Sequence, residues 1–568
     1  MVTNEELIDV AMGRKICDLV LKNGNIVNVF SGEVHSGDIG IYGGKIVGID
    51  GYNAKKEIDL EGAYICPGFF DGHVHIESSM VTLEEYARAV VPKGTTSIVA
   101  DPHEIANVLG LEGIKYMLET GEQLPINFFL MLSSCVPATD LDTSGASLSA
   151  FDLSLFMNSP NVLGLAEVMN YMGVINKDPD VMAKISKVGK KRIDGHAPEL
   201  RGNRLNAYIA AGIRSDHECT TLDEASEKLK RGMYIMIREG TTAKNLLSLL
   251  PLVNPENSSK LFFVTDDKSP KDLLWEGHID SMIRRSIENG IDPIRAIRMA
   301  TLNTAEYFKI DDLGAVAPGY RADLAVFSDL DHLAIDMVFK DGELVAEGGK
   351  LTKRMTKQKR VPLRSTINVR WIETNDFKIT AKSDAIRVIT LVPDQIITRE
   401  RIEEAKVENG LAVADVKEDI LKIAVIERHM ASGNIGLGFV KGFKLKRGAL
   451  ASSVSHDSHN IIVLGTNDED MYRAAVEIVK IRGGLTVAFN EVLEELPLPI
   501  GGLMSERNLE EVVDRIERLD RQASRLGCGV RDPFMALSFL TIPVIPELRL
   551  TDRGLVDSKE MKIIDLFT

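Results

Sequence analysis

The stretch "GFFDGHVHIESSM", residues 68–80, sets an apolar run ahead of two histidines one residue apart. Alternate side chains of an extended strand point the same way, so a strand through these residues presents His73 and His75 together, as a pair of metal ligands must be. The same plan recurs downstream. From residue 64 to about 310 an apolar run, a polar terminus and a helical pattern alternate, the signature of βα units around a parallel sheet. Eight runs qualify: "YICPGFFDGHVH" from residue 64, "TTSIVADPHE" from 95, "NFFLMLSSCV" from 127, "VLGLAEVMN" from 162, "RIDGHAP" from 192, "GIRSDHE" from 212, "YIMIREG" from 234 and "LFFVTDD" from 261. Helices are expected at 111–121, 200–211, 221–231 and 292–309. Eight such units close into an α/β fold, a (β/α)8 TIM-like barrel with a packed interior and its chemistry at the C-terminal strand ends.

The flanks read differently. Residues 17–66 hold short β-rich runs separated by Asn-Gly and Gly-Gly pairs, which are strong hairpin signals. After the barrel, "KLTKRMTKQKRVPLRS", residues 350–365, reads as a solvated linker, because no aromatic platform is interleaved with its charges. From about residue 364 to 568, β-rich runs ("AIRVITLVP", "LKIAVIERH", "NIIVLGT", "LTVAFNE") mix with helical patterns, notably 506–526, which predicts a separate C-terminal α/β domain.

Composition narrows the partners. With 568 residues, 44% hydrophobic and 26% charged, the chain is an ordinary globular protein of several domains. Its formal charge of −16 argues against nucleic acid, whose phosphates demand Lys and Arg, and leaves a small molecule as the expected partner. Five scattered cysteines without a CxxC pair suit a reducing compartment. The start, "MVTNEELIDVAMGRK", has no apolar signal core and no run of 18 apolar residues follows, so a cytoplasmic protein without a membrane span is expected.

Polar residues gather where the strands end: His73 and His75 on the first, Asp101, His103 and Glu104 on the second, Glu167 on the fourth, His196 on the fifth, His217 on the sixth, Asp266 and Asp267 on the eighth. Any one alone reads as a loop residue or a satisfied core histidine. Converging on one rim, His73, His75, His196 and His217 with Glu167 and Asp266 supply nitrogen and oxygen ligands for two divalent ions, Glu167 being placed to bridge them. Such ligands accept Mn, Fe or Zn.

The order HxH, carboxylate on strand four, His on strands five and six and Asp on strand eight resembles the amidohydrolase superfamily over residues 17–350. The resemblance implies a small β-sandwich built from both flanks, with "DDLGAVAPGYRADLAVFSDLD" returning the chain to it, so that the parts are 1–66, 67–311, 312–355 and 364–568. Within the superfamily, "PGFFDGHVHIESSM", "ADPHEIANVLG", "SDHE" and "FVTDD", followed by a long C-terminal region, are similar to the adenine deaminase family. That similarity implies adenine and water as substrates, hypoxanthine and ammonia as products, attack at C6 by a metal-activated water, Mn2+ or Fe2+ ahead of Zn2+, and a homo-oligomer, a dimer foremost. It also gives Asp266 the transfer of a proton from water to the leaving ammonia, and Asp267 a purine nitrogen. Glu104 and Glu199, the latter in "HAPE", are candidates to hold or protonate a ring nitrogen, Glu199 reading equally as a first-turn helix residue behind Pro198. His103 is expected beside the ligands, as a substrate-binding residue with Asp267. Arg238 and Glu239 read as a salt bridge across the rim.

Two alternatives remain. Cyclic-amide hydrolases of the superfamily carry a carboxylated lysine where "GLAEVMN" has Glu167, which ranks them, with deaminases of other aminopurines, second. A non-enzymatic scaffold would have lost ligands that are all present here. In the C-terminal region, His456, Asp457 and His459 of "ASSVSHDSHNIIVLG" read either as groups reaching the barrel mouth or binding a further ion, or as polar turn residues.

Overall fold

The computed structural model describes residues 2–49, 51–122, 124–352, 362–393 and 395–568. Residues 353–361 of the linker stretch lie outside the described residues. Each of the eight runs contains a strand: β1 Phe69–Val74, β2 Thr95–Ala100, β3 Asn127–Leu132, β4 Val162–Val168, β5 Arg192–Gly195, β6 Ser215–Asp216, β7 Tyr234–Arg238 and β8 Leu261–Val264. They pair in parallel and in sequence order, β1 to β5 in one ladder and β6 to β8 in another. The Asp266 N–H donates to His73 O at 3.0 Å, drawing the end of β8 to that of β1, and the Arg214 N–H donates to Ile193 O at 3.1 Å ahead of β6.

The strands are buried on both faces, as parallel strands wrapped by helices must be. Phe70, Val99, Met131, Ala166, Met236 and Phe262 share one inner cluster, while their strand neighbours Ile98, Leu130 and Leu165 pack outward against helices. Gly72 inside "DGHVH" belongs to this packing. A Cβ there would stand 2.6 Å from a ring carbon of Phe262, so the residue before His73 must lack one.

Helices Leu111–Gly121, Gly202–Ala210 and Leu222–Lys230 lie within the expected ranges. The expected helix at 292–309 is instead two, Pro293–Met299 and Leu302–Phe308. The Ala300 carbonyl accepts the Phe70 N–H of β1 at 2.7 Å, and the chain leaves helical geometry at Thr301.

The two flanks meet in one nine-stranded sheet, where Tyr64–Pro67 pairs antiparallel with Leu324–Phe327. Gly43-Gly44 makes the expected hairpin turn between Glu33–Tyr42 and Lys45–Ile49. Asn23-Gly24 does not: it is a bulge inside the continuous strand Cys17–Asn28, both halves of which pair with Glu33–Tyr42.

The C-terminal region is built on an eight-stranded sheet that is antiparallel except where Ala385–Leu391 runs beside Ile435–Lys441. Helices Asp468–Lys480 and Leu509–Arg525 pack on it, so helices and hairpins share one layered unit rather than alternating as βα repeats. Among the described residues no helix is long and apolar enough to cross a membrane.

Candidate active site

His73 and His75 leave β1 with their Nε2 atoms 3.2 Å apart, and each is 3.2 Å from Asp266 Oδ1. One ring proton cannot serve two nitrogens and a carboxylate oxygen together, whereas a shared cation can. Glu167, at the end of β4, reaches both sides of the cluster. Its Oε1 is 3.3 Å from His75 Nε2 and 3.7 Å from His73 Nε2, and its Oε2 is 2.7 Å from His196 Nδ1 and 3.1 Å from His217 Nε2. All six predicted ligands are therefore gathered in one buried group, Glu167 between the two histidine pairs. His196 Nε2 and His217 Nδ1 are buried without partners, so neither ring is spoken for on its far side. A donor set of imidazole nitrogens and carboxylate oxygens fits divalent cations.

The sequence behind the rim fixes these positions. Asp71 Oδ1 accepts the N–H groups of His73 and Thr265, both at 3.2 Å, tying the residues that lead into the β1 and β8 ligands. Lys228, fully buried on its helix, donates to Ala197 O at 2.7 Å and Asp216 Oδ2 at 2.9 Å, joining the neighbours of His196 and His217. Asp266 has φ +55°, a left-handed conformation that Asp tolerates better than most residues. It is not a helix cap, since Ser269 caps the helix that follows.

Burial alone would raise the Glu167 carboxyl, but His217, His196 and His75 hold it well below the usual range. Burial likewise opposes ionisation of Asp266, and Arg238 with the two histidines overcomes it. Arg238 Nη1 donates to Asp266 Oδ2 at 2.8 Å, and Nη2 to Glu218 Oε2 at 3.1 Å. The rim salt bridge expected of Arg238 thus runs to Glu218 and Asp266, while Glu239 pairs with Arg285.

His103 Nδ1 is 3.0 Å from Asp101 Oδ2 and 3.4 Å from Glu167 Oε1, which puts His103 beside the six with that nitrogen engaged by Asp101. Asp267 is half-buried on the cavity wall and accepts from Ser78 Oγ. Glu199 is not brought to the site. Its side chain is exposed, its φ is +58°, its N–H donates to Glu224, and the next helix begins only at Gly202.

Glu104 is held from across the molecule. Both its oxygens are taken by imidazoles of the C-terminal region, His456 Nδ1 on Oε1 and His459 Nε2 on Oε2. The three resemble a further metal site, yet the Ser455 N–H donates to His459 Nδ1 at 3.1 Å. That acceptor role leaves the His459 proton on Nε2, as a donor to Glu104, not a lone pair for a cation. The C-terminal region forms a roof of Ile396, His456, Asp457, Phe539, Ile542 and Ile545 over the rim, around a cavity of about 30 Å³. Of the readings offered for His456, Asp457 and His459, the structure puts them at the barrel mouth; sequence reasoning missed Glu218, whose one signal was its place directly after His217 in "SDHE".

Two family models match the chain: the amidohydrolase family over residues 64–345 and the adenine deaminase C-terminal domain over 395–562. Adenine deaminase 2 of Carboxydothermus hydrogenoformans is 51% identical over 562 residues, 99% of each chain. The adenine deaminase of Desulfatibacillum aliphaticivorans is 51% identical over 568 residues, 99% of this chain and 100% of that one. That of Dehalococcoides mccartyi strain 195 is 49% identical over 567 residues, 99% of each.

Proposed function

This chain belongs to the adenine deaminase family, and we propose that its rim of histidines and carboxylates hydrolyses adenine to hypoxanthine and ammonia. The observation that carries the reading is Glu167, buried between His73 and His75 on one oxygen and His196 and His217 on the other. His73, His75, Glu167, His196, His217 and Asp266 would hold two divalent ions, which supply acidification of a water near neutral pH. Mn2+ or Fe2+ is the favoured occupant, and Zn2+ suits the same donors. The two parallel ladders, joined at His73–Asp266 and Ile193–Arg214, support a closed (β/α)8 barrel around them.

Asp266, ionised beside Arg238, is the group to take the proton of the attacking water and return it to the departing amine. Attack at C6 puts electron density on N1, so a proton must arrive there too. Glu104, held ionised between His456 and His459, lines the cavity and is the group to relay a proton there from the His456 imidazolium. The cavity has room for about two waters, so adenine enters when the roof segments around 455–459 and 539–545 move outward. Once returned, they exclude bulk water, which strengthens every charge interaction beneath them. A homodimer, implied by the family resemblance, is tested by light scattering.

The experiment is reconstitution of metal-stripped protein with Mn(II), with ammonia release and the ultraviolet spectrum followed after adding adenine. Hypoxanthine formation that Asp266→Asn abolishes is the expected result. Two bound metals with adenine unchanged would transfer the reading to cyclic amides and other aminopurines.

A further inference from the structure

We infer that Asp457, a residue of the C-terminal roof, selects the free base by accepting a hydrogen bond from the imidazole-ring N–H of the purine; this rests on the deaminase reading above. Its segment is otherwise fully committed. Ser455 Oγ pairs with Thr541 Oγ1 at 2.9 Å, His456 and His459 hold Glu104, Ser458 Oγ donates to Asp142, and Asn460 Nδ2 donates to Thr143 O at 2.8 Å. Asp457 is the exception. It is 5% exposed, it lines the cavity, and its Oδ2 is buried without a hydrogen-bond partner. Buried polar atoms in folded proteins are almost always paired, and a carboxylate oxygen can only accept, so what completes Asp457 is an N–H or O–H donor from within the cavity.

The position of Asp457 says which donor. His103 stands between it and the rim, with Nδ1 3.4 Å from Glu167 Oε1 and Nε2 3.8 Å from Asp457 Oδ1. Asp457 therefore stands beyond the His103 ring from the carboxylate that centres the rim, with a gap on each side of that ring, on the roof wall of the cavity the substrate must occupy. A purine with C6 at the rim brings its five-membered ring toward Asp457, and adenine carries one N–H there. A nucleoside carries a sugar at that nitrogen. It would lose the donor and meet the apolar roof of Phe539, Ile542 and Ile545, Phe539 being stacked on His456 at 4.7 Å. Leaving a site's polar group unpaired is the strongest way to reject an analogue.

The test uses the metal-loaded, full-length protein and two isomeric inhibitor pairs, one for each imidazole-ring nitrogen. In each pair a 4-aminopyrrolopyrimidine keeps the N–H and the matching 4-aminofuropyrimidine puts an oxygen in its place. Wild-type protein is expected to bind one pyrrolo compound about 10²-fold more tightly than its furo partner, measured as Ki against adenine. Asp457→Ala should reduce that ratio to within about threefold with metal content unchanged, and Asp457→Asn, which keeps an acceptor, should fall between. Equal inhibition within both pairs, inhibition by none of the four, or a ratio that survives Asp457→Ala would overturn the inference. Wild-type protein that holds its metals and leaves adenine unchanged would instead fail the deaminase reading, and that is seen before any variant is made.

Discussion

Glu167 on the rim and Arg549 beneath the roof are both fully buried charges, yet they are satisfied in opposite ways. Glu167 faces five imidazoles, groups whose own charge depends on protons and cations. Arg549 faces none that titrates: its guanidinium donates to the backbone carbonyls of Ile545, Phe539 and Ile396 at 2.8 Å and of Pro546 at 3.0 Å. Arg428 likewise donates to backbone carbonyls, those of His459, Thr366 and Gly501, though Glu427 is a charged neighbour. Gly502 is needed beside it, because a Cβ there would stand 2.5 Å from Arg428 Nη1. The rim is thus built to be completed by what it binds, while the roof segments are tied to one another through backbone carbonyls, as a unit that can move over the rim.

The largest effects test the rim. Glu167→Ala removes the carboxylate common to both histidine pairs, and at least about a 10³-fold loss of adenine turnover is expected, with bound metal falling below two per chain by elemental analysis. Full metal occupancy in that variant would break the distinction between rim and roof. Next in size is Arg549→Leu, which takes the guanidinium donors from four buried carbonyls, of which Pro546 O keeps the Thr398 N–H at 3.0 Å, and should lower unfolding free energy by about 3–5 kcal/mol in denaturant titrations. Chelation should leave this loss unchanged, since none of the four acceptors belongs to the rim.

Where each half was legible follows from the same contrast. Strand ends obey a two-residue period and a fixed place in a βα repeat, so His73, His75, Glu167, His196, His217 and Asp266 could be picked out of the sequence one unit at a time. Glu218 broke that rule. It adjoins His217, and neighbours on a regular strand point apart, but β6 is two residues long and the irregular chain after it turns both inward. Glu199 erred the other way, matching a motif while its backbone turns it to solvent. The roof had one local signature, the polar run at 456–459, which could not say what it met. Glu104 and His456 are 352 residues apart, and nothing short of the packed tertiary structure brings them together. The same limit explains Asn23-Gly24, a turn signal that long-range pairing made into a bulge.

His456 is where rim and roof exchange charge, and its titration sharpens the comparison. Burial lowers its pKa, but Glu104 and Asp267 raise it further, to about 9. A histidine whose folded pKa lies above its usual value of about 6.5 contributes stability that is complete below that pH and is lost as the pH rises through the folded value. The stability gap between wild type and His456→Gln should therefore be about 1–3 kcal/mol at pH 6, shrink steadily from about pH 6.5 to pH 9 and stay small above that, read from unfolding at several pH values. A gap independent of pH would mean that His456 acts by packing on Phe539 rather than by charge.

The smallest effect expected lies where the two regions also touch, away from the cavity. Arg88, on helix Leu83–Val90, pairs with Glu510 of helix Leu509–Arg525, with the two side chains 34% and 54% exposed. Water competes for both groups and salt screens them, so a pair of this kind contributes about 0–1 kcal/mol. Arg88→Ala should shift the unfolding midpoint little and leave adenine turnover within about twofold of wild type. Its value is as a contrast with Arg549→Leu, since one removes an exposed ion pair between barrel and C-terminal region and the other a buried arginine that ties segments of the C-terminal region to each other. Equal losses from the two would mean that the charges contribute alike wherever they lie. A loss confined to Arg549 would mean that burial and backbone acceptors hold the roof segments together.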